Sequence, residues 1–181
     1  MIHDFRQKLE YSLGERQTFD TNILKTCFAE CVEITKTPKE IDKLGVDYIA
    51  HLSGGATINI DAKTREKGAS KFWHFNEPEL ALEIWSVIPS GTNPGKLGWT
   101  LSDESQVDYI LYTFDKSDTD RFYLLPFQLL RTVFKKNGRE WSKKYIRKKQ
   151  DSRDWQSEAL FIPASVVLTE INKLISGTVY C

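Results

Sequence analysis

The triplet Asp61-Ala62-Lys63 sets a carboxylate and an ammonium two residues apart, at the end of the alternating apolar run Ala56–Thr64. Residues two apart on a strand share a face, which groups Ile58, Ile60 and Ala62 on one side and Asn59, Asp61, Lys63 and Arg65 on the other. Asp61 and Lys63 therefore point the same way, about 7 Å apart by the rise of a strand. A second carboxylate, Asp47, opens the preceding run Val46–Leu52, and the Ser53-Gly54-Gly55 turn between the two runs predicts a hairpin. Such a hairpin can bring Asp47 beside Asp61 or Lys63. Two carboxylates together can hold a hard divalent cation such as Mg²⁺, which also accepts water and phosphate oxygens, whereas one alone holds it poorly. A neighbouring ammonium can orient or polarise an attacking water and offset the charge that grows on phosphorus in the transition state.

With 25 acidic residues and 17 lysines in 181 positions, chance alone supplies roughly two acid-x-Lys triplets, so the triplet gains meaning only from its context. The first acid follows the turn-like Asp42-Lys43-Leu44-Gly45, the second strand is apolar up to its polar triplet, and a hairpin of fitting length separates them. On these residues, Gly45-Val46-Asp47 followed by Ile60-Asp61-Ala62-Lys63, the chain resembles the PD-(D/E)XK nuclease superfamily. The likeness extends over about residues 5–125, with its specific motifs confined to 45–65. It implies a restriction-endonuclease-like α/β (α+β) core, a central mixed β-sheet flanked by helices. It also implies a Mg²⁺-dependent (or Mn²⁺-dependent) endonuclease or exonuclease. Asp47 and Asp61 would then ligate the metal, the carbonyl of Ala62 would complete the site, and Lys63 would serve the attacking water. Two departures stand out: the proline of the signature is Val46 here, and the acid often supplied by a first helix has no unique match. Glu10, Glu15 and Asp20 are all candidates there, with Gln17 as a substitute, and Glu83 in Leu80–Val87 is either a further ligand or a structural acid.

Other polar residues read more simply. Asp108 suits turn or capping chemistry at a strand start. Trp99, in Gly98-Trp99-Thr100, either closes over a substrate or fills the core. His51 lies roughly 13 Å along the strand from Asp47 and is structural, as are His3 and His74, since scattered histidines make no zinc spacing. Cys27 and Cys31 fall four apart on an expected helix, and with Cys181 they read as free thiols without function. No Gly-x-Ser-x-Gly elbow, P-loop or dinucleotide glycine pattern occurs.

The elements that must position these residues follow from hydrophobic period. Phe5, Leu9, Leu13, Phe19, Ile23, Leu24 and Phe28 give one broken helix, or two short ones, interrupted near Gly14. A four-strand meander is expected over Val46–Leu52, Ala56–Thr64, Leu80–Val87 and Val107–Phe114, with a short strand at Phe122–Leu125. A helix should then start at Pro126 and stop at Gly138, followed by a strand at Ala159–Ile162 and a helix over Val166–Ile175. At 181 residues and 40% apolar content, the chain 1–181 is expected to form a single domain with a real core, and disordered or fibrous classes are excluded.

The formal net charge of zero hides an asymmetry. Residues 135–153 carry nine basic side chains against Glu140 and Asp151, a local charge of +7 that the rest of the chain balances. This block suits a surface that follows phosphates, with Lys143, Lys144, Arg147 and Lys148 as nucleic-acid contacts, or a solvated helix face. With no apolar window of membrane-spanning length and a charged N-terminal segment, the expectation is a cytoplasmic protein. The expected activity is metal-assisted hydrolysis of DNA phosphodiesters, for which a homodimer would suit cutting both strands. The alternative is a catalytically silent relative that binds nucleic acid or a protein partner, for example a phage-borne or defence-related inhibitor.

Overall fold

A computed structural model describes residues 16–38, 45–65, 68–115, 118–151 and 155–178 of the chain. The expected helix over 5–14, Glu10, Glu15, His3, Arg153 and Cys181 lie outside these residues. A helical stretch over 16–27 (α1) leads into β1 (Cys31–Lys36), and the chain continues through β2 (Tyr48–Leu52) and β3 (Thr57–Arg65). Then come a short 3₁₀ turn (Ala69–Phe72), β4 (Glu79–Val87), β5 (Lys96–Leu97), β6 (Tyr109–Phe114) and β7 (Phe122–Pro126). Helix α2 (Phe127–Lys144), β8 (Ile146–Asp151), β9 (Gln156–Pro163) and helix α3 (Ala164–Thr178) complete the order. The strands form a mixed sheet, β1-β2-β3-β6-β7, and an antiparallel one, β5-β4-β9-β8. The class is the expected α/β (α+β) one.

The hairpin forms as its residues require. His51 pairs with Thr57, the Leu52 N–H donates to the Ala56 carbonyl, and Gly55 supplies a φ of +81° in the turn. The strands are not a simple meander, however. β3 runs parallel to β6 from Ile60↔Tyr109 to Arg65↔Phe114, and parallel neighbours need a long connection. That connection leaves the sheet and builds β4 and β5 of the second one, so Glu83 belongs to a different sheet from Asp61.

Both faces of the mixed sheet are covered, which explains the near-continuous apolar run of β6. On one face α1 packs Ile23 and Leu24 against Tyr48, Ala50, Ile60 and Leu111. On the other, Ile110, Tyr112 and Phe114 share a larger core with Leu80, Leu82, Leu160 and Ile162 of the second sheet and with α2 and α3. The Tyr112 hydroxyl accepts the Ala81 N–H at 2.8 Å, tying the edge of β4 to this face.

Three expectations need correction. Cys31 opens β1 rather than lying on the helix of Cys27; the chain turns at residues 29–30, and Val32 and Ile34 then alternate along an edge strand. Helix α2 runs through Gly138 to Lys144, because Trp141 beyond the glycine is buried in the core and anchors the last turns. The basic block is therefore not one element: its second half is β8, whose six residues IRKKQD have little strand propensity and are held by pairing with β9.

Gly138 has no conformational need to be glycine. A Cβ there would lie 3.6 Å from the Phe134 ring, an ordinary contact. Gly138→Ala should stabilise the helix by about 1 kcal/mol. Thermal melting should show this as a rise of roughly 2–4 °C, and an unchanged or lower midpoint would mean that the glycine relieves strain.

Candidate active site

Asp47 is fixed where β2 begins. Gly45 enters with a φ of +81°, the Thr37 hydroxyl donates to the Val46 carbonyl, and the Thr37 N–H donates to the Asp47 carbonyl at 2.9 Å. Tyr48 is the ladder partner of Ile60, yet the Asp47 N–H also reaches the Ile60 carbonyl at 2.9 Å. Beyond this point β2 offers β3 no further backbone, and the Asp47 side chain takes over. Its Oδ2 accepts the Ala62 N–H at 2.8 Å. Because a paired strand residue presents its N–H and C=O to the same neighbour, the Ala62 carbonyl lies on this same edge, beside Asp47.

Asp61 sits on the β3 face that meets the second sheet and is only 3% exposed. Lys63, on the same face, places Nζ 2.7 Å from Asp61 Oδ1. Burial nevertheless dominates and pushes the Asp61 carboxyl up to about 7. The Lys63 ammonium opposes the rise, while the charge of Asp47 and a hydrogen bond with it add to the rise. The two carboxylates thus sense each other directly where β2 begins beside β3. A third one, Asp20 on α1, is 1% exposed; it accepts the Tyr48 hydroxyl at 3.1 Å through Oδ2, and its buried Oδ1 has no hydrogen-bond partner among the described residues. Burial raises its pKa, and the charge of Asp47 contributes. Of the first-helix candidates within the described residues, Asp20 is the one buried beside Tyr48, while Gln17 is half-buried.

These groups suit a divalent cation in charge and donor type. Asp47 and Asp61 each keep oxygen capacity beyond the bond described, and a cation between them would offset both the burial of the Asp61 charge and its repulsion by Asp47. Among the described residues no group of three or more His, Cys, Asp or Glu side chains is placed to hold a metal ion. The Ala62 carbonyl and water would have to complete any such site. Glu83 is turned elsewhere: its Oε2 accepts the Ser86 hydroxyl at 2.7 Å and the Trp99 N–H at 3.2 Å.

That bond positions Trp99. Gly98 passes so close to β4 that a Cβ would lie 2.4 Å from the Glu83 carbonyl oxygen, and the next residue, Trp99, stands with its ring centroid 5.9 Å from Lys63 Nζ. Lys63 and Trp99 border two hollows. One of about 120 Å³ contains Asp61, with Ser86, Lys96 and Glu104 around it. The other, about 320 Å³, is a groove in the corner between the sheets, where Arg65, Lys148, Lys149 and Phe161 join them.

The basic block is thereby divided. Lys148 borders the groove, its Nζ 5.5 Å from the Phe161 ring centroid. Arg147 pairs with the buried Glu158, Lys143 with Glu140 at 3.0 Å, and Lys144 lies over the Tyr145 ring. Lys143 and Lys144 line a separate hollow between α2 and α3. Asp108 accepts the Asn59 N–H at 2.8 Å, His51 meets the Thr35 hydroxyl at 2.9 Å, and His74 meets Glu79 at 3.2 Å, all as structural contacts. Sequence reasoning did not single out Arg65 or the role of Gly98. The alternation that marked Asp61 and Lys63 already placed Arg65 on their face.

The raised pKa of Asp61 fixes a sign. Stability that depends on its protonated form is complete below the ordinary value of 3.8 and is lost as pH rises through about 7. Without divalent cations, Asp61→Asn should therefore melt higher than the wild type at pH above 7, and the difference should shrink as the pH falls below 7 and vanish only below the ordinary value of 3.8. Equal midpoints at alkaline pH would contradict the buried charge. Gly98→Ala should lower urea-unfolding stability by about 1–3 kcal/mol through the clash with β4. Gly54→Ala, where no atom lies within 4 Å, serves as the silent control.

No family model matches the chain, and searches of curated proteins and of solved structures found no match either.

Proposed function

We propose that the protein is a metal-dependent nuclease of the PD-(D/E)XK type, hydrolysing phosphodiester bonds of DNA with Mg²⁺ or Mn²⁺. The observation that carries this reading is the convergence of Asp47, at the start of β2, with Asp61 and Lys63 on the central strand β3, beside a groove lined with cations. Asp47 and Asp61 would hold the cation together with the Ala62 carbonyl. When bound, the cation supplies Lewis-acid polarisation of a phosphate oxygen and lowers the pKa of a water. Lys63, held at 2.7 Å from Asp61, can donate to the attacking water or to a non-bridging oxygen where negative charge develops. Trp99, with its ring centroid 5.9 Å from Lys63 Nζ, flanks this ammonium. Asp61 must lose its proton to ligate, so metal affinity should rise with pH up to about 7, the value of the metal-free carboxyl, and level off above it.

A second reading has its own support. Lys63 already pairs with Asp61, and among the described residues no third carboxylate or imidazole is placed with Asp47 and Asp61 to hold a metal ion, as expected of a silent nucleic-acid-binding relative.

The two readings separate on purified protein with Mg²⁺ or Mn²⁺ and single-stranded, duplex and branched DNA. Cleavage is expected, with Asp61→Asn and Lys63→Ala each slowing it at least about a hundredfold. Calorimetric metal affinity should fall in Asp61→Asn and survive in Lys63→Ala, since the first removes a ligand charge and the second leaves both carboxylates. No cleavage by the wild type on any of these substrates would leave the silent reading.

A further inference from the structure

The corner groove contains more cationic chemistry than the two carboxylates and Lys63 require. Asp61, Lys63 and Arg65 follow one another along one face of β3, each about 7 Å from the next. Arg65 leaves the carboxylates behind and lies with its guanidinium carbon 4.7 Å from the centroid of the Phe161 ring. Lys148, which comes from β8, lies over the same ring at 5.5 Å. Two cations from different sheets are therefore brought to one aromatic side chain. The carboxylate that borders the groove, Glu83, accepts from the Ser86 hydroxyl and the Trp99 N–H. The Arg65 Nε is buried and has no hydrogen-bond partner among the described residues. A guanidinium has five N–H donors in a fixed fork and accepts nothing, so the Arg65 side chain, which lines the groove, suits an anionic acceptor there. Phosphate matches that fork in two-point geometry.

We infer that this groove is a backbone subsite for single-stranded nucleic acid, in which Arg65 grips the phosphate next to the one that meets Asp61 and Lys63. The inference rests on the nuclease reading only for the identity of that neighbouring site. Successive phosphates of an extended strand have a spacing comparable to that of Lys63 and Arg65. The volume of about 320 Å³ is at the small end of ligand pockets, which run from about 300 to 1,000 Å³, so it takes a nucleotide-sized segment. A double helix is too wide to follow a single strand into a corner of this size. Lys149 and Gln150 of β8 border the groove, where the next part of the strand would leave.

The test uses full-length protein bearing Asp61→Asn, which prevents cleavage, and fluorescence anisotropy of a labelled short oligothymidylate over a range of salt concentrations. Adding Arg65→Gln should weaken binding by about tenfold or more, the scale of a charge-assisted hydrogen bond. It should also reduce the slope of log affinity against log salt by about 0.7, the value for one phosphate on a single strand. Arg65→Lys keeps the charge without the fork, so it should keep the slope and lose part of the affinity. Lys173→Gln, on the exposed side of α3, should change neither. Unchanged affinity and slope in Arg65→Gln would overturn the subsite, as would equal Arg65 dependence for a duplex of the same length. If Arg65→Gln fails to fold, wild-type affinity in Arg65→Lys overturns it instead. Cleavage by the unsubstituted protein, measured in parallel, keeps the two ideas apart. Arg65-dependent binding without cleavage removes the nuclease reading and leaves the subsite, whereas cleavage with Arg65-independent binding does the reverse.

Discussion

The parallel pairing of β3 with β6 is the constraint on which the rest of the molecule depends. Six consecutive pairs, from Ile60↔Tyr109 to Arg65↔Phe114, leave β3 with a neighbour on each side, and the chain between the two strands must cross from one end of the sheet to the other. In doing so it builds β4 and β5 and carries the Gly98-Trp99 loop back over β3. The second sheet then encloses the face of β3 that bears Asp61, Lys63 and Arg65. A polar strand face that would otherwise meet water is turned into the wall of a groove, and its charges acquire their chemistry there.

Asp61 shows what that enclosure costs. An ammonium 2.7 Å away would hold an exposed aspartate well below neutrality, but here desolvation outweighs it and a second carboxylate adds to the effect. Burying one ion pair rarely gains stability, because the attraction must first repay the hydration lost by both charges. Stability alone therefore does not explain a buried Asp61 beside Asp47. The Asp47 side chain adds a rigid element. By accepting the Ala62 N–H it substitutes for the strand that has just ended, so its position is set by the backbone ladder rather than by a flexible rotamer.

The basic segment illustrates how charge in sequence becomes charge in space. Residues 135–153 hold nine cations, yet α2 ends at Lys144 and β8 begins at Ile146, which sends the two halves to different surfaces. Within β8 the alternation divides them again: Arg147 is tied to the buried Glu158, while Lys148 turns toward Phe161 and the groove. The cations that a polyanion would meet near Asp61 are thus Lys63, Arg65, Lys96, Lys148 and Lys149, three of which lie outside the conspicuous basic block.

Much of the local structure was legible from residue type. Alternation of period two marked both hairpin strands, the Ser-Gly-Gly turn fixed their connection, and the face shared by Asp61, Lys63 and Arg65 followed from strand geometry alone. Period also marked β4, β6, β7 and the core of α2, since each buries an apolar stripe or face. What it missed were the elements made by partners rather than by propensity. β8 is nearly all polar and exists because β9 pairs with it, β1 is an edge strand with an exposed valine, and α2 continues past Gly138 because Trp141 has a core to enter. The candidate carboxylates and Lys63 could be named in sequence because a strand repeats every two residues over short range. Their burial, the raised pKa of Asp61, the approach of Asp20 and the joining of Arg65 with Lys148 at Phe161 depend on contacts between residues far apart in the chain. Desolvation and convergent charge are properties of enclosed space, which only the packing of the two sheets creates.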